Sequence, residues 1–157
     1  MEKDIIFCEL KNGEIDSFSK MVNDVFDEFV GKDYSEIGIS EFKRYSDPEN
    51  ILTIINNKTT KFFVAKKNNE IIGAIGIRNN SHISLFFVKK EFHKNGIGKK
   101  LFTNYMETLK GDNCEIKKIT VNSSIYAEVI YSKLGFIKTD ELQNKSGFKY
   151  IPMEYKL

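Results

Sequence analysis

The chain has 157 residues, 41% hydrophobic and 29% charged, a balance expected of one globular domain over 1–157 and not of a disordered or fibrous class. Its 24 basic and 22 acidic residues leave a formal charge of +2, too near balance to argue for nucleic acid or a membrane surface. Any electrostatic case must therefore be local.

"DIIFCEL" is rich in strand formers and ends at the turn signal "KNGE", which predicts a first strand over 4–10. Asp16 or Ser17 is positioned to cap a helix in which Ile15, Phe18, Met21, Val22, Val25, Phe26, Phe29 and Val30 recur at spacings of three and four, ending near Gly31. Residues 31–50 have polar turn chemistry with a short helix after Ser40. Pro48 marks a boundary or an N1 position, and "ILTIINN" reads as a further helical turn; together these count as one helix in the element order. "KFFVAKK" and "EIIGAIGIR" flank Asn68 and Asn69 as a hairpin, and "HISLFFV" continues the meander.

Ile97, Leu101, Phe102, Tyr105, Met106 and Leu109 then form a helical stripe that stops at Gly111. "KKITVNSS" reads as a short strand. Ser123 or Ser124 caps the next helix, which Gly135 terminates, and the tail reads as two strands joined near "NKSG". The order is strand, helix, helix, three strands, helix, strand, helix, two strands, so the class is α/β with a mixed sheet. Thirteen Phe and no Trp predict a core rich in Phe and Ile.

Cys8 and Cys114 lie far apart and the two histidines form no cluster of zinc spacing, so neither a disulfide framework nor a metal site is expected. "MEKDIIFCELKNGE" turns charged before an apolar stretch of signal length develops, and no apolar run reaches spanning length. The cytoplasm is the default location and no membrane partner is expected.

The stretch "FFVKKEFHKNGIGKKLF", 86–102, runs from a strand through two glycines into a helix. A helix N-terminus leaves N–H groups unpaired and carries partial positive charge, which favours anions and above all phosphates. Gly96 and Gly98 let a phosphate approach the backbone, and Lys89, Lys90, His93, Lys94, Lys99 and Lys100 make the stretch basic. A P-loop fails at His93 and Lys100, and a dinucleotide fingerprint fails at Leu101. On the glycines alone, a ligand loop and an ordinary tight turn with solvated lysines both stay open.

A second stretch, "TVNSSIYAEVIYSKLGF", joins a strand, a capped helix and a further strand. Together the two resemble the GNAT superfamily of acyl-CoA-dependent N-acetyltransferases. The superfamily's Q/R-x-x-G-x-G/A appears as "HKNGIG" with His93 at the Gln/Arg position, and its A-x-x-x-Y-x-x-x-G-F is matched by Ala127, Tyr131, Gly135 and Phe136. The resemblance covers residue 62 to the end, and the element order agrees before it. It departs from the pattern at His93 and at Ser124, where many members have Asn.

The resemblance implies the GNAT fold, a central mixed, largely antiparallel twisted sheet flanked by helices, with acetyl-CoA as co-substrate and no metal. It implies a pyrophosphate held by the N–H groups of His93, Lys94, Asn95, Gly96, Ile97, Gly98 and Lys99. The backbone of a bulged strand at Phe86, Phe87 and Val88 would grip pantetheine and supply an oxyanion donor near Phe87 or Val88. Asn122, Ser124 and Tyr131 complete the cofactor side. Tyr131 is the implied general acid to the departing thiolate, a modest role for a phenol of pKa about 10 facing a thiol near 8.5. Members that use a strand glutamate as base have no counterpart in "HISLFFV", where His82 and Ser84 are the polar residues. A histidine at a strand start equally often faces solvent or a carbonyl. Asp33, Tyr34 and Glu36 are candidate contacts for a cationic amine, with Phe148 and Tyr150 on the tail.

The acceptor is open between a small amine, an amino acid and a peptide N-terminus. A rival of another class is an acyl-CoA-binding sensor or interaction module without catalysis, against which Tyr131 speaks. A nucleic-acid surface built on Lys89, Lys90, Lys94, Lys99, Lys100, Lys117 and Lys118 is disfavoured, because these cluster about a glycine loop with no aromatic RNA signature. Dimers are common in the superfamily, which makes a homodimer one assembly compatible with the reading.

Overall fold

The computed structural model describes residues 4–111 and 115–157, so Cys114 lies outside the described residues. In chain order the elements are β1 (Ile5–Glu9), α1 (Ile15–Phe29), α2 (Glu36–Tyr45), α3 (Pro48–Asn56), β2 (Thr60–Lys67), β3 (Glu70–Arg78), β4 (His82–Val88), α4 (Ile97–Gly111), β5 (Lys118–Ser123), α5 (Glu128–Leu134), β6 (Ile137–Lys138), β7 (Gln143–Lys145) and β8 (Phe148–Lys156). The sheet runs β1-β2-β3-β4-β5-β8-β6, with β7 paired to β8. Among the described residues the parallel pairing is that of β4 with β5, limited to His82 opposite Thr120 and Ile83 opposite Val121. Past these residues the two strands have no register, and a wedge opens in the middle of the sheet.

The class and most elements agree with the sequence reading; three details differ. The region expected to hold one helix holds two, because Asp47 accepts from Glu49 N and Pro48 occupies the first helical turn, starting α3 afresh after α2. The tail has three strands, not two, since Ile137 and Lys138 add to β8 ahead of the hairpin whose turn is Ser146–Gly147. Helix α1 is not capped by Asp16 or Ser17. It grows out of a 3-10 turn at Asn12–Glu14, where the Glu14 carboxylate accepts from Lys11 N at 3.0 Å. The two-residue β2–β3 turn has positive φ at Asn68 and Asn69, the conformation that Asn tolerates and a hairpin requires.

One apolar cluster lies on each face of the sheet. Helix α4 supplies Ile97, Leu101, Phe102 and Tyr105 to one, with Tyr131 and Phe136; α1 supplies Phe18, Met21, Val22 and Val25 to the other, with Phe62. Phe18 and Phe62 meet edge to face at 5.1 Å. Burying such side chains contributes roughly 1.5–3 kcal/mol each. Among the described residues, no helix is long and apolar enough to cross a membrane.

Glu14 also pairs with Lys66 Nζ at 2.6 Å, tying the 3-10 turn to β2, and this holds its carboxyl below the usual value. A folded pKa lowered below the unfolded one contributes stability that is present at neutral pH and is lost as pH falls through the folded value. Glu14→Gln is expected to cost about 1 kcal/mol in urea denaturation at pH 7. The difference from the unmodified chain should close as pH falls below the folded value of the Glu14 carboxyl.

Candidate active site

At the tip of β4 the chain makes a 3-10 turn over Lys90–Phe92 and enters the glycine loop. Positive φ at Lys94 (65°) and Gly96 (75°) curls the backbone, a geometry that turns successive N–H groups toward one point. His93 N donates to Lys90 O at 3.1 Å, and Lys100 N donates to Gly96 O at 3.0 Å. Between them, the N–H groups of residues 94–99 have no acceptor among the described residues. These open N–H groups form a cradle at the N-terminus of a fifteen-residue helix, the kind of geometry that suits an anion.

The cradle differs from the sequence expectation at its first member, because the His93 N–H is already used. The His93 imidazole instead bonds Val88 O through Nε2 at 2.7 Å and packs on Phe29 at 5.1 Å between ring centroids. It fastens the loop to the strand that precedes it. The basic residues also divide: Lys89 pairs with Glu70, and Lys100 lies over the Phe7 ring at 5.2 Å. Lys94 and Lys99 flank the cradle and are exposed. Lys118 pairs with Glu154 on β8 at 3.4 Å.

The second feature is the free edge of β4. Gly76 stands opposite Leu85 and Ile77 opposite Ile83, so Ser84 is an extra residue in β4, a β-bulge two residues ahead of the expected segment. The extra residue resets the alternation of faces. Ile83, Phe86 and Val88 pack with the α4 cluster, whereas Leu85 and Phe87 pack with the α1 cluster. Toward β5 the backbone of β4 from Ser84 onward meets no strand. A Cβ added at Gly98 would lie 3.5 Å from the Phe86 ring and 3.9 Å from Val88, ordinary contact, so packing alone does not require that glycine.

Helix α5 brings Tyr131 against this edge. The helix ends at Gly135, φ +109°, where Phe136 N closes back on Tyr131 O at 3.0 Å. The Tyr131 ring meets Phe86 edge to face at 5.9 Å and Phe136 at 5.3 Å. Its hydroxyl has no partner among the described residues and is not sealed from solvent. Burial, with the Tyr34 phenol as a lesser contributor, pushes its pKa far above the usual tyrosine value. Across the wedge, Ser124 Oγ accepts from Ala127 N at 3.2 Å and shapes the turn into α5, while Asn122 is exposed on β5.

On the other face, Tyr34 packs edge to face on Phe26 at 5.4 Å and on Phe148 at 5.1 Å. Burial, and secondarily the Asp33 carboxylate, raise its pKa. Ser84 accepts from Tyr45 Oη at 3.1 Å. Tyr150 is half-buried on β8, and Glu36 is exposed in the first turn of α2. His82 is not brought to this site. It lies at the closed end of the wedge, roughly 13 Å along the strand from Phe86 at about 3.3 Å per residue, with Nδ1 bonded to Thr120 Oγ1 at 2.8 Å. Burial, and less so Arg78, lower its pKa, which keeps it neutral.

Phe29, Phe42, Tyr45 and Tyr126 are site neighbours that the sequence reading did not single out as functional. Tyr126 stacks on Phe29 at 4.8 Å, and Phe42 meets Phe87 edge to face at 5.9 Å. Helical periodicity marks Phe29 as core and says nothing of which loop its ring will meet.

Three comparisons bear on this arrangement. Residues 30–157 match the profile described as acetyltransferase (GNAT) domain. A UPF0039 protein of Schizosaccharomyces pombe is 30% identical over 70 residues, 45% of this chain and 47% of that protein, so the match spans about half of the curated relative. Among solved structures, a GCN5-related N-acetyltransferase from Rhodopseudomonas palustris superposes with TM-score 0.79 at 15% identity, covering 97% of this chain and 95% of the other. PaiA N-acetyltransferase from Thermoplasma acidophilum, in complex with coenzyme A, superposes with TM-score 0.77 at 21% identity, covering 98% and 99%.

Proposed function

The chain belongs to the acetyltransferase (GNAT) domain family, and from that premise we propose that it moves an acetyl group from acetyl-CoA to a primary amine by direct attack. The observation that best supports this reading is the juxtaposition of an open N–H cradle at residues 94–99, an unpaired β4 edge and the Tyr131 ring beside Phe86. The fit to the cofactor is chemical. A pyrophosphate needs several convergent N–H donors, and an amide-bearing arm needs a strand edge with free backbone groups.

Lys94, Asn95, Gly96, Ile97, Gly98 and Lys99 would hold the pyrophosphate through their backbone, with the Lys94 and Lys99 side chains adding charge. Phe86, Phe87 and Val88 would hold the pantetheine arm, and Asn122 and Ser124 face it across the wedge. His93 is assigned to the loop's position and not to a phosphate contact. When bound, acetyl-CoA supplies an activated thioester; the amine nitrogen forms the new C–N bond as the C–S bond breaks. In this reading the oxyanion donor is the Val88 N–H, which faces the open edge, since Phe87 pairs with Ala74 in the ladder to β3.

Tyr131 holds its proton more tightly than a thiol of pKa about 8.5 would, so full transfer to a thiolate runs uphill. Its part is therefore sharpened from general acid to hydrogen-bond donor: the phenol stays protonated and stabilises charge growing on sulfur, and water delivers the final proton. The amine must arrive neutral, having lost its ammonium proton to water, and after attack its nitrogen releases a second proton to water, which balances the one that water delivers to sulfur. His82, bonded to Thr120 and remote from Phe86, is assigned a structural role. His82→Ala should leave the pH profile of kcat/KM unshifted, still rising toward the acceptor's own pKa; a lost or displaced limb would restore the histidine as base.

The test of the whole reading is thiol release from acetyl-CoA over a panel of amines, with calorimetry for binding. Tight acetyl-CoA binding without release on any amine would favour the sensor reading instead.

A further inference from the structure

The acceptor side of the wedge is bridged. Ser35 N donates to Gly147 O at 3.1 Å, joining the entry of α2 to the turn of the β7–β8 hairpin. The two backbones approach so closely that a Cβ at Gly38 would lie 2.4 Å from Gly147 O, and one at Gly147 would lie 2.2 Å from Ser35 Oγ. Beside this crossing the rings of Phe148, Tyr34, Phe26, Phe42 and Phe87 touch in series, at 5.1, 5.4, 4.0 and 5.9 Å, from β8 on one side of the wedge to β4 on the other. The series of rings ends on Phe87, the neighbour in β4 of Phe86, which the Tyr131 ring meets at 5.9 Å, so the bridge lies beside the reacting end of the site. Asp33 is the carboxylate that acts on Tyr34.

We propose that this arch makes the acceptor a small primary amine carrying one aryl or alkyl substituent, and excludes polypeptide amines and polycations. The inference rests on the acetyltransferase reading above. A polypeptide acceptor needs an open trough in which flanking residues can lie; here the two walls are hydrogen-bonded to each other across it. A polyamine needs several acidic partners to offset its desolvation, whereas the arch is built mainly of aromatic rings, with the carboxylates of Asp33 and the exposed Glu36 beside it. An apolar substituent is matched by the partly exposed rings of Tyr34, Phe87 and Phe148, Phe26 being fully buried, and its ammonium by Asp33 before deprotonation.

The test uses the full chain. Acetyl-CoA binding is measured first by calorimetry, then thiol release with 2-phenylethylamine, hexylamine, spermidine, a peptide with a free N-terminus and an N-blocked peptide with one lysine. The expected result is kcat/KM for the better of the two apolar amines about tenfold or more above spermidine and either peptide. Acetyl-CoA binding accompanied by equal or better turnover of spermidine or a peptide, or by no turnover at all, overturns the substrate class and leaves the cofactor reading standing. Absence of acetyl-CoA binding overturns the cofactor reading and this inference with it. Gly38→Ala, which must part the crossing, and Phe148→Ala, which removes a ring without touching it, should each lower the preference for the apolar amine over the peptides. A preference unchanged in both folded variants, or in Phe148→Ala if the other does not fold, overturns the arch as its cause.

Discussion

Tyr131→Phe is expected to lower kcat by about 10- to 100-fold, the equivalent of a hydrogen bond to a charged atom at about 1.5–3 kcal/mol. Acetyl-CoA affinity should stay close to that of the unmodified chain, because in the proposed mechanism the phenol acts on charge that grows only as the C–S bond breaks. Folding should be little affected, since the hydroxyl has no partner among the described residues and the ring contacts with Phe86 and Phe136 survive the change. Steady-state kinetics with calorimetric binding separates the cases. An unchanged kcat would remove Tyr131 from the chemistry, and a loss of affinity equal to the loss of rate would make it a binding residue. A phenol pKa raised by burial also implies that no limb of the pH profile belongs to Tyr131 in the neutral range.

Gly96→Ala is expected to weaken acetyl-CoA binding by about 5- to 30-fold, whereas Gly98→Ala should leave it nearly intact. Gly96 has φ +75°, where a Cβ costs about 1–2 kcal/mol; the substituted loop relaxes away, and binding must restore the curl. Gly98 lies inside α4, and a methyl there meets only ordinary contacts with Phe86 and Val88. Calorimetric titration of the two variants is the measurement. Equal losses would show that the cofactor needs empty space at both positions, and no loss at Gly96 would detach the pyrophosphate from this loop.

Much of the fold was legible because it rests on local chemistry. The α1 stripe from Ile15 to Phe26, the Asn68–Asn69 hairpin and the Gly135 stop are each written in residues a few positions apart, and each recurs in the structure with its dihedral angles or burial. The two helices between 36 and 56 were blurred because their shared boundary depends on a single cap at Asp47. Residues 137 and 138 were missed as a strand of their own because two residues carry no period.

The site divides along the same line. By itself the sequence determined the glycine loop, its charge and the Tyr131–Gly135–Phe136 helix end, since a glycine turn and a helix stop are properties of consecutive residues. Only the tertiary structure decided that β4 and β5 part after Ile83 and Val121, that the extra residue in β4 is Ser84, and that His82 is held by Thr120 away from the site. It alone shows that His93 turns back onto Val88 and Phe29, and that Gly38 meets Gly147 across 109 positions of chain. These are contacts between residues remote in sequence, whose partners are chosen by the packing of whole elements and leave no periodic trace in either partner.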